Sequence, residues 1–196
     1  MTAPHQPARP TLMVVIASIR DGRVGLPVGQ WFESVARAHA GFDVSLVDLK
    51  ELALPLMTEP NHPRLKQYTQ ETTWQWSRMV ESADAFAFVM PEYNHGVSAP
   101  LINAIDYLFQ EWHDKTAGLV SYGGVSGGLR AAQHLKPVLS TVGLHTVVEA
   151  VSIQMVRNHV HDGVFAPDQH ATASADAMLD AMLRTDAALR TLRDAA

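Results

Sequence analysis

Apolar and polar positions along this chain follow two periods. Short, nearly unbroken apolar runs alternate with longer stretches in which apolar residues recur every three or four positions, the pattern of strands alternating with helices. The first run, TLMVVIAS from Thr11, has the continuous hydrophobicity of a strand covered on both faces. Val28, Trp31, Phe32, Val35, Ala36 and His39 then form one helical stripe. Pro27 suits its first turn, where a missing N–H costs nothing, and Gly41 predicts its stop. FDVSLVDL from Phe42 predicts a second strand, and Glu51 to Pro63, with three prolines and no period, predicts a loop. Leu65, Tyr68, Thr72, Trp76, Met79, Val80 and Ala83 predict the next helix, and Ala85 to Met90 the third strand. Leu101, Ile105, Leu108, Phe109 and Trp112 stripe a further helix, followed by a fourth strand in AGLVSYG from Ala117. Ala131, Ala132, Leu135, Leu139 and Val142 mark a helix bent at Pro137. HTVVEAVSIQM from His145 predicts a fifth strand, and NHVHDGVFAPDQ from Asn158 a loop. A last helix runs from about Thr172, with Ala175, Met178, Leu179 and Met182 inward.

Five strands and five helices in strict alternation predict an α/β sandwich, a parallel sheet with helices on both faces. Two strand orders fit: the flavodoxin-like 2-1-3-4-5, and half of a dinucleotide-binding fold. In both, ligands bind beyond the carboxyl ends of the strands, where the strand order reverses. The loops after the first, third and fourth strands are therefore where chemistry is expected.

Composition narrows the classes. The 196 residues suit one domain, spanning 11–196 after a loose, proline-rich tail over 1–10. A net charge of -5 with no basic tract argues against nucleic acid or an anionic membrane as partner. The absence of cysteine excludes disulfides, thiolate catalysis and cysteine-held zinc or iron–sulfur clusters. It is compatible with a reducing cytoplasm, and no apolar run at the N-terminus has signal-peptide length.

The first loop, ASIRDGRVGLP, places Ser18, Arg20 and Arg23 beside Gly22, Val24 and Gly25 at the start of a helix. That combination of hydroxyl, charge and free backbone N–H groups suits a terminal phosphate. It is neither a Walker loop nor G-x-G-x-x-G. In the second loop, Pro91, Glu92, Tyr93, Asn94 and His95 bring a stiff backbone, an aromatic ring and an amide to the sheet edge, as a flat heteroaromatic ligand requires. Ser98 and Pro100 read as N-cap and early-helix residues. The third loop, SYGGVSGGLR, runs from Ser121 and Tyr122 through Gly123, Gly124, Ser126 and Gly127 toward a helix starting near Gly127. It also contains G-V-S-G-G, a literal nucleophile elbow, which offers Ser126 with Asp162 or Asp168 and His170 as a serine-hydrolase alternative.

Taken together, S-I-R-D-G-R-V-G from Ser18, P-E-Y-N from Pro91, P-L-I-N-A-I-D-Y from Pro100 and S-Y-G-G-V-S-G-G-L-R-A from Ser121 resemble the NAD(P)H-dependent FMN reductase family, which includes quinone, chromate and azo-dye reductases. The resemblance covers most of the chain, and P-E-Y-N followed by N-A-I-D is its specific part. Ala17 stands where a glycine is common, and Arg23-Val24-Gly25 where many members carry Ser-Phe-Asn. It implies the flavodoxin-like fold, FMN as cofactor and NADPH or NADH as electron donor. Ser18, Arg20 and Arg23 would then hold the phosphate, Pro91 to His95 the isoalloxazine and ribityl region, and Ser121 to Gly127 the other edge. The glycine-loop N–H groups would stabilise negative charge on the reduced ring.

The flavin would carry the hydride step, so no catalytic side chain is expected. A small acceptor (quinone, free flavin, azo dye or metal oxyanion) would follow nicotinamide in ping-pong order. The resemblance also implies a homodimer or homotetramer. An electron carrier or flavin sensor without NAD(P)H turnover is the alternative. His159 and His161 lack a third ligand at convincing spacing, so no metal is expected. Trp74 and Trp76 cannot share a helix face; one belongs to the core, and the other, beside Leu108, Phe109 and Trp112, suggests a subunit contact.

Overall fold

The computed structural model describes residues 9–195. In chain order the elements are β1 (Thr11–Ile16), α1 (Gly25–His39), β2 (Asp43–Asp48), α2 (Leu49–Leu52), α3 (Glu71–Glu81), β3 (Ala85–Pro91), α4 (Ala99–Asp106), β4 (Lys115–Tyr122), α5 (Leu129–Thr141), β5 (Leu144–Thr146), β6 (Val151–Ile153), β7 (Val160–His161), β8 (Val164–Phe165) and α6 (Gln169–Arg193). The main sheet has the order β2-β1-β3-β4-β5, with β6 also paired to β4. Every pairing in it is parallel, as the flavodoxin-like expectation requires.

Successive residues of β1 and β3 point to opposite faces and so feed two cores. Met13, Val15, Phe86 and Phe88 pack under α3, α4 and α5, while Leu12, Val14, Ala85 and Ala87 face α1 and α6. Aromatic rings fill the first core: Phe86 meets Trp112 edge-on at 4.9 Å between centroids, an arrangement that adds about 0.5–1.5 kcal/mol to burial. Gly118 of β4 lets α6 approach so closely that a Cβ there would lie 2.6 Å from the Met182 sulfur.

The predicted fifth strand is two strands. β5 follows β4 from Lys115 to Ala117, and β6 follows it from Val120 to Tyr122. Between these registers the edge chain is longer than the stretch of β4 it follows, and Val148, Glu149 and Ala150 are squeezed out into solvent. α3 begins at Glu71, and Leu65, predicted to line it, is 58% exposed. The Glu59 carboxylate accepts the Thr69 and Gln70 N–H groups and so holds the preceding chain in a loop. Thr72 is exposed, and Thr73 and Ser77 face inward instead.

α4 likewise stops at Asp106. Leu108 is buried from the bend after α4 and Trp112 from a short 3-10 turn (Gln110–Trp112), around the Glu111 carboxylate that accepts the Tyr68 hydroxyl at 3.0 Å and the Ser77 hydroxyl at 2.6 Å. Trp76 is core. Trp74 is half-buried against Tyr68, to whose carbonyl it donates, so these tryptophans present no exposed cluster. α1 ends at Ala40, left-handed at φ 58°, one residue before the predicted Gly41. The expected loop after Glu51 begins inside α2, and the loop after Asn158 holds the β7–β8 hairpin. Of the expected N-terminal tail, residues 1–8 lie outside the described residues, while Arg9 pairs with Asp43 and Pro10 accepts its N–H. Among the described residues no helix is long and apolar enough to cross a membrane.

Candidate functional site

Parallel pairing brings the carboxyl ends of β1, β3, β4 and β6 to one edge, and their four loops enclose a cavity of about 340 Å³. That lies within the range of small-molecule sites. Its walls are Arg20 to Val24, Pro91 to Tyr93, Tyr122 to Gly124, and Met155 to Asn158.

The loop after β1 is braced from three sides. Ala17 donates to the Val89 carbonyl at 2.9 Å. Ser98, at the N-cap position of α4, does not cap its helix but donates to the Ala17 carbonyl at 3.1 Å. Arg23 forks onto both oxygens of Asp48, at the end of β2, and also donates to the Ser18 carbonyl. The hydrogen bond to Asp48 holds its guanidinium above even the usual arginine value. Arg20 is exposed, with its guanidinium 5.6 Å from the Tyr93 ring centroid. α1 then starts without a side-chain cap and with no acidic residue in its first turn, leaving N–H groups and the positive end of the helix dipole open to an anion.

Gly25 permits this start. A Cβ there would lie 2.2 Å from both the Ser18 and Tyr122 hydroxyl oxygens. Both hydroxyls are buried directly beneath the helix start, and neither makes a well-formed hydrogen bond. Burial pushes the Tyr122 phenol well above its ordinary value, so it stays protonated.

Beyond β3, Asn94 and His95 both take positive φ, 49° and 64°, and Tyr93 and Gly96 exchange backbone hydrogen bonds around them. This tight turn holds Tyr93 at the cavity while Asn94 and His95 point to solvent. Glu92 reaches across instead. Its carboxylate accepts the Ser126 hydroxyl at 2.8 Å, the Arg130 backbone N–H at 3.0 Å and the Arg130 side chain at 3.0 Å. Burial alone would raise this carboxyl, but the hydrogen bonds from Ser126 and Arg130 outweigh it and hold the group below its ordinary value.

The glycine loop is thereby fixed on one side. Ser121 fixes it on the other by donating to the Gly127 carbonyl at 2.9 Å. Gly128, left-handed at φ 84°, packs where a Cβ would meet the Tyr122 backbone nitrogen at 2.7 Å. At Gly124 nothing lies within 4 Å of the Cβ position, so its backbone is open to close approach from the cavity.

Of the residues expected at the site, Arg20, Arg23, Val24, Pro91, Glu92, Tyr93, Tyr122, Gly123 and Gly124 line the cavity. Ser18, Gly25, Ser121, Ser126 and Gly127 lie behind that lining, and Asn94 and His95 outside it. The helix expected near Gly127 starts at Leu129. Gly22, expected in the first loop, is also in the walls, as are Asp21 and Met155 to Asn158, which the sequence does not single out. The last four follow β6, and the carboxyl-end rule applied to the fifth strand as well would have found them.

The hydrolase alternative fails on geometry. Ser126 donates to Glu92, Asp168 caps α6 through the Ala171 N–H, and His170 lies exposed on that helix.

Residues 10–158 match the NADPH-dependent FMN reductase family. An NAD(P)H-dependent FMN reductase of Schizosaccharomyces pombe is 34% identical over 171 residues, covering 85% of each chain. One from Saccharomyces cerevisiae is 38% identical over 145 residues, covering 68% of this chain and 75% of its own. Among solved structures, a flavoenzyme NAD(P)H:(acceptor) oxidoreductase from Paracoccus denitrificans superposes with a TM-score of 0.72 at 20% identity, covering 91% of this chain and 97% of that one; at that identity the likeness concerns the fold. The chain belongs to the NADPH-dependent FMN reductase family and is an oxidoreductase that draws electrons from NAD(P)H by way of FMN.

Proposed function

We propose that the cavity at the carboxyl edge of the sheet is the FMN site of this reductase, and that residues 11–196 act as one flavin-binding domain. The observation that carries the assignment is the contrast between its two ends. At one end, the uncapped, acid-free first turn of α1 stands beside Arg20 and suits a phosphate. At the other, the open backbone of Gly124 suits a flat ring system, and Tyr93, whose ring lies 5.6 Å from the Arg20 guanidinium, stands between the two. The cavity volume and donor set therefore fit the group.

FMN bound there supplies hydride and electron transfer between NADPH or NADH and a small acceptor such as a quinone, free flavin, azo dye or metal oxyanion. The chain's own residues bind and orient. Arg20, Val24 and the first turn of α1 take the phosphate end, Pro91, Tyr93, Tyr122, Gly123 and Gly124 the ring end, and Glu92 holds the glycine loop against it. Ser18, Gly25, Ser121, Ser126 and Gly127 support these walls from behind, and Asn94 and His95 form the turn that presents Tyr93.

Val125 and Met155, 82% and 48% exposed, rim the glycine loop with apolar surface, which supports a homodimer or homotetramer closing over the site. Light scattering reads this directly. The cysteine-free composition supports a cytoplasmic location, which cell fractionation tests.

Titration of the full chain with FMN should saturate at one flavin per chain, and initial rates against NADPH and a quinone should give parallel double-reciprocal lines. Failure to bind FMN would overturn the assignment; intersecting lines would replace the ping-pong order by a ternary complex.

A further inference from the structure

We infer that Arg157, on the turn after β6, is the cation that holds the FMN phosphate in the place that sequence assigns to Arg23; this rests on the FMN site proposed above. Both arginines line the cavity, but only one is available to a ligand. The Arg23 side chain is 7% exposed and forks onto Asp48, itself 14% exposed. Turning it toward a ligand would strand that buried carboxylate.

Arg157 is exposed, and among the described residues no carboxylate pairs with it. It lines the cavity together with Gly22 and Val24, and the same three residues bound an adjoining groove along Leu26 and Pro27. It therefore shares two surfaces with the residues that open α1. Beneath that turn lie the Ser18 and Tyr122 hydroxyls, buried and without well-formed partners, so the phosphate end has unmet polar capacity as well as an open helix start.

The backbone that carries Arg157 is also fixed. Met155, left-handed at φ 44°, donates to the Gly124 carbonyl at 2.9 Å, and Val156 donates to the Gly123 carbonyl at 3.1 Å. The turn is thus joined to the glycine loop, so one rigid piece of backbone contributes to both ends of the site. A guanidinium beside a helix N-terminus provides a two-part clamp for a doubly charged phosphate. In this arrangement Arg157 sets the preference for FMN over riboflavin.

The test is fluorescence titration of the full-length, flavin-free chain with FMN and with riboflavin, for wild type, R157Q, R157K and R23Q. R157Q should raise the Kd for FMN by about 10- to 100-fold. It should leave the riboflavin Kd and the melting temperature unchanged, and R157K should recover part of the loss. R23Q should lower the melting temperature and weaken both flavins together. R157Q binding FMN as tightly as wild type would overturn the inference, as would an equal loss for the two flavins. A change confined to the KM for NADPH, with FMN affinity intact, would also overturn it by moving Arg157 to the nicotinamide nucleotide. Wild type that binds neither flavin would overturn the FMN site itself, which separates that failure from failure of the Arg157 assignment.

Discussion

The cavity has two charged walls built on opposite terms. In the loop after β1, Arg23 and Asp48 neutralise each other almost out of solvent and brace the chain between β1 and β2. In the turn after β6, Arg157 stands in solvent on a backbone braced only by main-chain bonds to the glycine loop. The glycine loop repeats the first arrangement, with Glu92 held to Ser126 and Arg130. The contrast teaches that at this edge the paired charges shape the loops, while Arg20 and Arg157, exposed and without a carboxylate partner among the described residues, are free to meet an anion. Side-chain type alone does not separate the two uses; the partner does.

Breaking the buried pair should produce the largest effect. Arg23→Met removes the ion-pair partner of the partly buried Asp48 carboxylate, and should lower unfolding free energy in urea by about 3–5 kcal/mol. Arg157→Gln should change it by less than about 0.5 kcal/mol, as a solvent-exposed substitution does. Equal losses for the two would erase the distinction. Next in size is Gly25→Ala, whose Cβ would lie 2.2 Å from two hydroxyl oxygens. Displacing Tyr122 and Ser18 should cost about 1–3 kcal/mol and weaken FMN, whereas an unchanged FMN Kd would show that the helix start is not part of the site.

An effect of similar size concerns the second brace. Glu92→Gln should cost about 1–3 kcal/mol at neutral pH, because hydrogen bonds to a charged group are lost. The native carboxyl titrates below its ordinary 4.5. Its contribution is therefore complete above that value and disappears as pH falls through the lower, folded value. Wild-type stability should accordingly fall more steeply with acid than that of E92Q, and the two curves should converge at low pH. Parallel curves would show that Glu92 is not held as an anion.

Much of this architecture is legible in the chain because burial on both faces writes itself into β1, β3 and β4 as unbroken apolar runs. The loops at their ends follow from topology. What is not legible depends on partners distant in sequence. Leu65 and Tyr68 have helical spacing, but whether they join a helix is decided by Glu59, whose carboxylate takes the N–H groups of Thr69 and Gln70. Val148 to Ala150 lie within one continuous predicted strand, and only the register with β4 shows that they leave the sheet. Arg23 reads as a phosphate ligand until Asp48 is seen beside it, and Ser126 as a nucleophile until Glu92 is. Met155 to Asn158 carry no motif; their place at the site comes from β6 ending at the same edge.

The most direct test of the account is spectroscopic. The full-length protein, loaded with FMN and freed of excess, is mixed with NADPH in the absence of oxygen, and the yellow absorbance is followed before and after a quinone is added. One yellow chromophore per chain is expected, bleached by NADPH and restored by the quinone. A chain that takes up no FMN, or one whose colour NADPH and NADH both leave unchanged, would contradict it.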